Sequence, residues 1–559
     1  MVYTYCMYVR VKTTPLSPKK MVQIVESIRR DGRIVQKIVR HVGLAIDEKE
    51  LAQLKLLAES IKARLESDPQ GLLFTPEELA RMAVRGRAQK EGRRDADYRV
   101  NLKDLFEEER IVRGIHDVYG DLFDELQFAS IIANPLRQKA AVSLLRDIVL
   151  ARVANPLSKR GSVALLEEDF GRSLDLDAVY EMMDRIDDVA VTRLNDLTYA
   201  HTKRLFPETI DVIFFDCTTI YFEAFEEDEL RRNGYSKDLM FNQPQVLIAL
   251  MVTKEGLPVG YQAFPGDTYE GHTVIPFIEN LKERYQIGKV VFVGDAAMFS
   301  DANLKQFEER EIEYIVGSRL HNLPKKLQAQ ILDEKNYADV KEDEYRIGQF
   351  AYGTRTLLVS WKQSRAAKDA RDRDKAIERT KKKLEKKKNP KEYLGNGGAK
   401  KYLAVSEGAT IALNEDKIKE DRRWDGLHGV VTNAKNLSHQ DILAQYGNLW
   451  QVEESFRVTK HDLKVRPVFH WKPERVRAHL AICYAAYALV RYLEHRVKLQ
   501  YTHLSPERIR QTLLRVQTSI LYDRKKKLRY ALPSRMSQEA KKIYQLCNIE
   551  RSSTPTVLK

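Results

Sequence analysis

Cysteine is scarce in this chain. The 559 residues include only four cysteines, Cys6, Cys217, Cys483 and Cys547, and they form no C-x-x-C pair. Because zinc sites and disulfide frameworks need closely spaced or paired cysteines, this pattern argues against both. It predicts a protein of a reducing, cytoplasmic environment, and Cys217 is expected to fill apolar space.

Long hydrophobic runs are also lacking. The first residues, MVYTYCMYVRVK, have no continuous apolar stretch of the kind found in an export signal. The most apolar segment, HLAICYAAYALV at 479–490, is too short and too interrupted to span a bilayer. We therefore expect a soluble, cytoplasmic protein without a membrane partner, associated with the nucleoid if the source is bacterial.

Basic residues exceed acidic ones. Lys and Arg number 94 against 80 Asp and Glu, giving a net charge of +14, which favours a polyanionic partner such as nucleic acid. The segment 362–391 alone contains fourteen Lys or Arg and five Asp or Glu. Two interpretations stay open for it: a solvated charged helix, or a DNA-backbone contact through Lys381, Lys382 and Lys383.

Two apolar segments each lead into an aspartate. DVIFFD ends at Asp216, and KVVFVG at 289–294 is followed by Asp295. Short runs rich in β-branched and aromatic residues predict buried strands, and the carboxyl edge of a sheet is where ligands commonly bind. Alone, each aspartate could equally be a turn former or a helix cap, as we expect for Asp301.

A third carboxylate lies in the segment 438–463. Read as one helix, it places Ile442, Tyr446, Leu449, Glu453, Phe456 and Lys460 on a single face. We expect this face to pack inward, where a carboxylate is costly unless a metal ion or a cation compensates it. An ordinary ion pair of Glu453 with Arg457 is the alternative. With Asp216 and Asp295, Glu453 predicts an oxygen-ligand site for Mg²⁺ or Mn²⁺.

These residues resemble a known family. Tyr446, Glu453 and Lys460 fit the Y-x2-R-x3-E-x6-K signature of the insertion sequence 4-like superfamily of DDE transposases, with Leu449 in place of the arginine. DCTTIYFE around Asp216, GDAAMFS around Asp295, FPGDTYEGHT at 264–273 and RPVFHW at 466–471 are similar to the same group. The family's catalytic core is ribonuclease H-like.

The resemblance implies a transposase that uses two Mg²⁺ ions, held by Asp216, Asp295 and Glu453, to cut transposon ends and join them to target DNA. It implies that Tyr446 and Lys460 hold the DNA backbone. Arg457 is placed on the same predicted helix to assist them, because a guanidinium can bind phosphate oxygens with two hydrogen bonds. A homodimer is expected, because two terminal repeats must be brought together. Two alternatives stay open: a structure-specific nuclease that does not join, and an inactive DNA-binding regulator.

Asp267 and Glu270 are reserve carboxylates, should one of the three assigned residues be wrong. Leu449 leaves the use of a hairpin intermediate open, because the signature arginine is absent.

The predicted fold class is α/β, or α+β multidomain, with a ribonuclease H-like mixed sheet interrupted by an insertion. The core elements are strands at 212–216, 246–253, 258–264, 289–294 and 313–317 and helices at 273–285 and 302–311. The predicted regions are a DNA-binding module at 1–95, a helical linker or dimerisation region at 96–205, the first core part at 206–319, the insertion at 320–437, the second core part at 438–500 and a basic tail at 501–559. Within them we expect β-like segments followed by a helix at 48–65, helices at 139–154 and 178–197, and a hairpin around RKKKLR at 524–529. A small curled sheet with a solvated basic face is the alternative for the first region.

Overall fold

The computed structural model describes most of the chain. The described ranges are 6–14, 17–30, 33–45, 48–66, 98–206, 212–223, 226–234, 242–285, 291–295, 300–341, 344–385, 401–405, 411–501 and 504–558. Asp211, which the sequence suggests as a strand entry, lies outside them, as do 296–299 of the GDAAMFS motif. The chain divides into two compact units, 1–101 and 102–559.

In its described part, the first unit consists of a small sheet followed by a helix. Strands β1 (Cys6–Thr14), β2 (Ser17–Arg30) and β3 (Arg33–Ala45) form an antiparallel meander, followed by α1 (Glu48–Glu66). Apolar residues of β2, such as Val22 and Ile24, pack against the buried face of α1. The β-like segments and the helix expected from the sequence are confirmed. The proposed role of this unit in DNA binding stays a prediction.

The second unit is built on a nine-stranded mixed sheet. Its order is β10-β11-β12-β15-β9-β8-β5-β6-β7. The strands are β5 (Val212–Tyr221), β6 (Gln245–Thr253), β7 (Pro258–Pro265), β8 (Val291–Gly294), β9 (Glu313–Ser318), β10 (Tyr337–Lys341), β11 (Tyr345–Tyr352), β12 (Arg355–Lys362) and β15 (Leu427–Thr432). A separate two-stranded ribbon joins β13 (Leu403–Val405) to β14 (Ile411–Leu413).

The directions of these strands matter for the site. β5, β6 and β7 are antiparallel neighbours, whereas β8 is parallel to β5 and β9 is parallel to β8. β15 is antiparallel to both β9 and β12. Therefore β12, which comes from the predicted insertion, runs in the same direction as β5, β8 and β9. This is the mixed sheet expected of a ribonuclease H-like core, extended by strands from the insertion.

Helices cover both faces of the sheet. On one face lie α7 (Glu270–Tyr285), α8 (Asp301–Glu309) and α9 (Lys325–Ile331), which bury Ile213, Phe215 and their neighbours. On the other lie α12 (His439–Gly447), α13 (Trp450–Arg457) and the long α14 (Pro473–Gln500). Because almost every position between 476 and 493 of α14 is buried, this helix is the centre of the larger core.

The helices of 114–205 join the same core. They are α2 (Gly114–Glu125), α3 (Lys139–Ala154), α4 (Lys159–Phe170), α5 (Leu176–Met183) and α6 (Asp188–Leu205). The prediction of one helix over 178–197 is wrong. Asp187 accepts a hydrogen bond from the amide of Ala190 and so starts a new helix there.

A four-stranded sheet joins distant parts of the chain. β4 (Leu105–Val112) pairs with β16 (Gln517–Asp523), which forms a hairpin with β17 (Leu528–Pro533), and β18 (Thr556–Leu558) completes the edge. The hairpin around RKKKLR was expected from the sequence. Its pairing with β4 was not, because no local pattern indicates a partner four hundred residues away.

The remaining helices are α10 (Gln363–Glu385), α11 (Glu415–Arg422), α15 (Pro506–Leu514) and α16 (Gln538–Leu546). The charged helix expected in the insertion is confirmed as α10. Asp301 is not the cap of α8, because the Ser300 hydroxyl accepts the amide of Asn303. Among the described helices, none is long and apolar enough to cross a membrane.

Candidate functional site

Asp216 and Asp295 lie at the same level on two neighbouring parallel strands, Asp216 within β5 and Asp295 directly after β8. The parallel register of β5 and β8 pairs Phe214 with Val293, and each aspartate follows its member of that pair by two residues. Because neighbouring strands are about 4.8 Å apart, the two carboxylates are brought to the same level. The prediction that a strand ends at Asp216 is wrong, because β5 continues to Tyr221 and Asp216 lies within it, whereas Asp295 directly follows β8. The register of the two strands is what places both aspartates at one level.

The alternation of β5 decides which way Asp216 faces. Phe214 belongs to the core under α13 and α14, whereas Phe215 and Cys217 belong to the core under α7. Asp216 therefore faces the side on which the helix of Glu453 packs. The reserve candidate Glu270 begins α7 on the opposite face.

Glu453 is not buried in the core, so that expectation is wrong. The predicted single helix is broken at Asn448 and Leu449 into α12 and α13, and a π-helical turn follows at 458–462. After the break, the buried positions of α13 are Val452, Ser455 and Phe456. Glu453 is consequently turned to the exposed rim of the helix. The ion pair that the structure gives for Arg457 is with the neighbouring Glu454, at 2.6 Å between Nη2 and Oε1.

A cavity of about 420 Å³ collects three of the predicted site residues, Asp295, Tyr446 and Glu453. It opens at the carboxyl edge of the sheet, where α12 packs against β8, β9 and β12 and α13 against β5 and β6. Its other lining residues are Tyr345, Ser360, Lys362, Arg365, His428, Leu443, Gly447, Leu449 and Trp450.

Burial sets the protonation states of Tyr446 and His428, two residues that line this cavity. Burial raises the pKa of Tyr446 to about 12, with the Asp295 carboxylate as the next contribution. Burial also lowers the pKa of His428, whose ring lies edge-on to Tyr446 with centroids 5.0 Å apart, to about 4. At neutral pH the cavity therefore holds a protonated phenol and a neutral imidazole.

The insertion contributes a wall that sequence reasoning missed. Lys362 ends β12 and Arg365 lies in the first turn of α10, and both line the cavity together with Tyr345 and Ser360. The Lys362 ammonium lies 4.8 Å from the centroid of the Tyr345 ring. The available signal was the apolar run TLLVSW ending in a lysine, but nothing in the sequence shows that this strand runs parallel to β8.

The donor set is suitable for a divalent ion. Carboxylate oxygens are the ligands that Mg²⁺ prefers, and the strand register brings Asp216 and Asp295 together. Within the described ranges, no group of three His, Cys, Asp or Glu side chains is close enough to hold a metal ion. Asp216 itself does not line the cavity; it is half-buried and accepts the amide of Cys217 at 2.8 Å.

The predicted DNA contacts are spread more widely. Lys460 lies in the π-helical turn and lines a second cavity of about 410 Å³ with Arg466, whose guanidinium stacks 4.3 Å from the centroid of Tyr221. Phe469 and Trp471, 61% and 63% exposed, line the same cavity. Its mixture of cations and exposed aromatic rings is typical of surfaces that contact unpaired nucleotides.

Among the described side chains, no lysine of α10 lines either cavity. Lys381 is exposed, and Lys382 forms an ion pair of 2.6 Å with Glu378, one turn earlier. The side chain of Lys383 lies outside the described parts of the structure. The contact therefore stays a prediction, as does the solvated-helix alternative.

Comparison with known proteins adds the family. The model of the transposase DDE domain matches residues 207–489, just over half of the chain. A search of curated proteins finds no significant match. Among solved structures, the piggyBac transposase synaptic complex with hairpin DNA aligns over 66% of this chain and 68% of its own, with 9% identity and a TM-score of 0.35. The matched segment contains Asp216, Asp295 and Glu453, and the chain belongs to the transposase DDE domain family.

Proposed function

We propose that this protein is a metal-dependent DNA transposase of the insertion sequence 4-like type, which cuts the ends of its element and joins them to target DNA. The observation that carries the proposal is the sharing of one cavity by Asp295 and Glu453, with Asp216 level with Asp295 on the neighbouring parallel strand. This arrangement is supported by the family match over the same residues.

Asp216, Asp295 and Glu453 would hold the divalent ions, Mg²⁺ or Mn²⁺. When bound, such ions lower the pKa of water and neutralise charge on the phosphate. The carboxylates fix the ions at the open edge of the sheet. Their surroundings keep the Tyr446 hydroxyl protonated, so that it can donate a hydrogen bond to a phosphate oxygen.

Two phosphoryl transfers follow at the same site. In the first, the oxygen of a water molecule attacks phosphorus at the transposon end, the bond from phosphorus to the 3′-oxygen breaks, and a free 3′-hydroxyl and a 5′-phosphate result. In the second, that 3′-hydroxyl attacks a phosphodiester of the target, displacing the target's own 3′-oxygen. Each step forms one P–O bond and breaks one, so neither needs an oxidant or an external energy source.

The helix of Glu453 would guide the DNA strand. Lys460 lies seven residues after Glu453 and lines the second cavity with Arg466. Lysine and arginine contact phosphate oxygens directly, and arginine can do so with two hydrogen bonds. In the chain, Arg457 lies between Glu453 of the first cavity and Lys460 of the second. It would exchange its ion pair with Glu454 for a phosphate contact. A homodimer would present two such helices to two ends.

The test uses a plasmid that carries the gene with its native flanks. We would incubate it with the purified protein, Mg²⁺ and an unrelated target plasmid. Cleavage at both flanks followed by joining is the expected result. Cleavage without joining would favour the nuclease, and binding to the flanks without cleavage would favour the regulator; either outcome would contradict the proposed activity.

A further inference from the structure

The cavity has a basic wall opposite its acidic one. Asp295 and Glu453 come from the core, whereas Lys362 and Arg365 come from the insertion. A phosphodiester entering such a cavity would place its charged oxygens near two carboxylates, which repel it unless cations compensate. The insertion supplies these cations.

The strand directions explain how the basic wall is brought there. β12 and β9 are both antiparallel to β15, so β12 runs parallel to β8 and β5. The carboxyl end of β12 therefore lies at the same edge as Asp216 and Asp295. Ser360 pairs with His428 on β15, and both line the cavity. Lys362 follows Ser360 by two residues and so lies on the same face.

The contacts of Arg365 leave room for a substrate role. Its Nε lies 3.8 Å from Asp369 Oδ2, one turn along α10, and about half of its side chain is exposed. Asp369 also accepts the backbone amide of Gly426 at 3.0 Å, so this carboxylate is held by the insertion itself. The Arg365 guanidinium thus borders the cavity on a long side chain with a weak ion pair.

Leu449 occupies the position at which the transposase signature has arginine, and it lines this same cavity. It is the N-cap residue of α13, four residues before Glu453. An apolar side chain there cannot bind phosphate, so among the described residues the core side of the cavity carries no Lys or Arg beside Glu453.

We propose that Arg365, with Lys362 beside it, binds the DNA phosphate at this cavity and supplies from the insertion the cation that position 449 does not carry. This inference rests on the proposed function, because it assumes that the cavity receives DNA. Lys362 supports the same phosphate as a second positive charge.

The first experiment measures binding without cleavage. Duplexes taken from the gene's flanks would carry either the natural phosphate or a neutral methylphosphonate at the cleavage position, and Kd would be measured in Ca²⁺. For the wild type we expect the methylphosphonate to weaken binding about tenfold, as for a lost charge-assisted hydrogen bond. For Arg365→Ala this preference for phosphate should become smaller, because only Lys362 is left to contact the phosphate from this side. An undiminished preference for phosphate in that variant would overturn the inference.

The second experiment measures the rate of end cleavage. Arg365→Ala should lower it by about 100-fold, the usual effect of removing one group that stabilises transition-state charge. The double variant Arg365→Ala/Leu449→Arg should cleave at about a tenth of the wild-type rate or faster. The matched control is Arg371→Ala on the same helix, whose guanidinium bonds the Ala367 carbonyl and which does not line the cavity; it should stay within twofold of the wild type.

The outcomes separate the two proposals. If the wild type, Arg365→Ala and Arg371→Ala all cleave equally well, only the proposed role of Arg365 is contradicted. A loss of rate that Leu449→Arg does not restore, accompanied by a lower melting temperature, assigns Arg365 to structure and also overturns the inference. A wild type that neither binds nor cuts the flanking DNA overturns the proposed function, and the role of Arg365 with it.

Discussion

The two walls of the cavity differ in origin, in charge and in how visible they are in the sequence. The core wall carries Asp295 and Glu453, each within a motif that stands out in the sequence. The insertion wall carries Lys362 and Arg365, two of fourteen basic residues in one charged segment. The carboxylates are suited to metal-assisted chemistry and the cations to holding a polyanion. The segment predicted as an insertion thus adds two cations to a cavity whose carboxylates come from the core.

The largest effect should come from removing the divalent ion. If the acidic wall works through metal, an excess of chelator should abolish cleavage, and added Mg²⁺ should restore it. Ca²⁺ should support DNA binding but little cleavage, because it is larger and its coordination geometry is looser. A gel assay of flank cleavage with each ion measures this. Full cleavage activity in excess chelator would show that the carboxylates of the acidic wall do not act through a metal ion.

Glu453→Gln should lower the cleavage rate by more than about 100-fold, because even indirect partners of a metal contribute 10- to 100-fold. DNA binding should stay within a few-fold of the wild type, since the charged wall opposite is intact. Glu454→Gln is the matched control: it removes the neighbouring carboxylate, which pairs with Arg457, and should cleave nearly normally.

Equal activity of the two glutamine variants in a single-turnover cleavage assay would contradict the assignment of Glu453. Equal loss in both would show that the helix, and not the one carboxylate, is what the substitution disturbs.

Arg355→Ala should weaken the contact between strand β12 and helix α8. Arg355 starts β12 in the insertion and contacts two carboxylates of α8 in the core, Asp301 and Glu308, both at 2.5 Å. Its side chain is buried but Asp301 is 62% exposed, so we expect a loss of about 2 kcal/mol of unfolding free energy. Urea unfolding at neutral pH measures this loss, with the exposed Arg371→Ala on α10 as a surface control.

The same variant has a defined pH dependence. The hydrogen bond from Arg355 lowers the pKa of Asp301; burial raises that of Glu308, but the bonds from Arg355 and Tyr314 outweigh it and leave it lowered. Groups with a lowered pKa in the folded state stabilise it above their unfolded pKa, about 4, and lose this effect as pH falls through the folded value. The stability difference should therefore be full at pH 7 and shrink below about pH 4. A constant difference would show that lost packing, not ion pairing, is responsible.

The smallest effect concerns the basic surface outside the cavity. If Lys381, Lys382 and Lys383 touch phosphate, replacing all three by alanine should lower the slope of log Kd against log salt by roughly 2 to 3. Alanine at Lys525, Lys526 and Lys527, in the turn between β16 and β17, removes the same charge elsewhere. If both triple variants or neither change the slope, α10 is only a solvated helix.

Local patterns predicted much of the fold. The strands around Asp216 and Asp295 were predictable because a buried strand needs a short apolar run, and the β-branched and aromatic residues of VIFFD and VFVG provide it. Helix α3 was predicted at its observed bounds, 139–154. Helix breaks were harder to predict, because the apolar periodicity of the sequence continues through them. This applies to the break between α5 and α6 and to the break between α12 and α13.

The candidate site was only partly predictable. The phase of Glu453 was missed, because the break at Asn448 rotates the following helix relative to the stripe. Arg365 was missed because its importance depends on β15, which joins β12 to β9 from a segment more than sixty residues later. Non-local strand pairing has no local sequence pattern.

By itself, the sequence determined which chemical groups are present: carboxylates next to apolar strand segments, a basic excess and a transposase-like signature lacking its arginine. Only the tertiary structure decided which of them meet. A strand's residues alternate between two faces and its direction fixes which end they reach. The sheet register therefore placed Asp216 level with Asp295 and brought Arg365 to the cavity that Glu453 also lines. This arrangement depends on hydrogen bonds between remote strands, which composition and spacing do not encode.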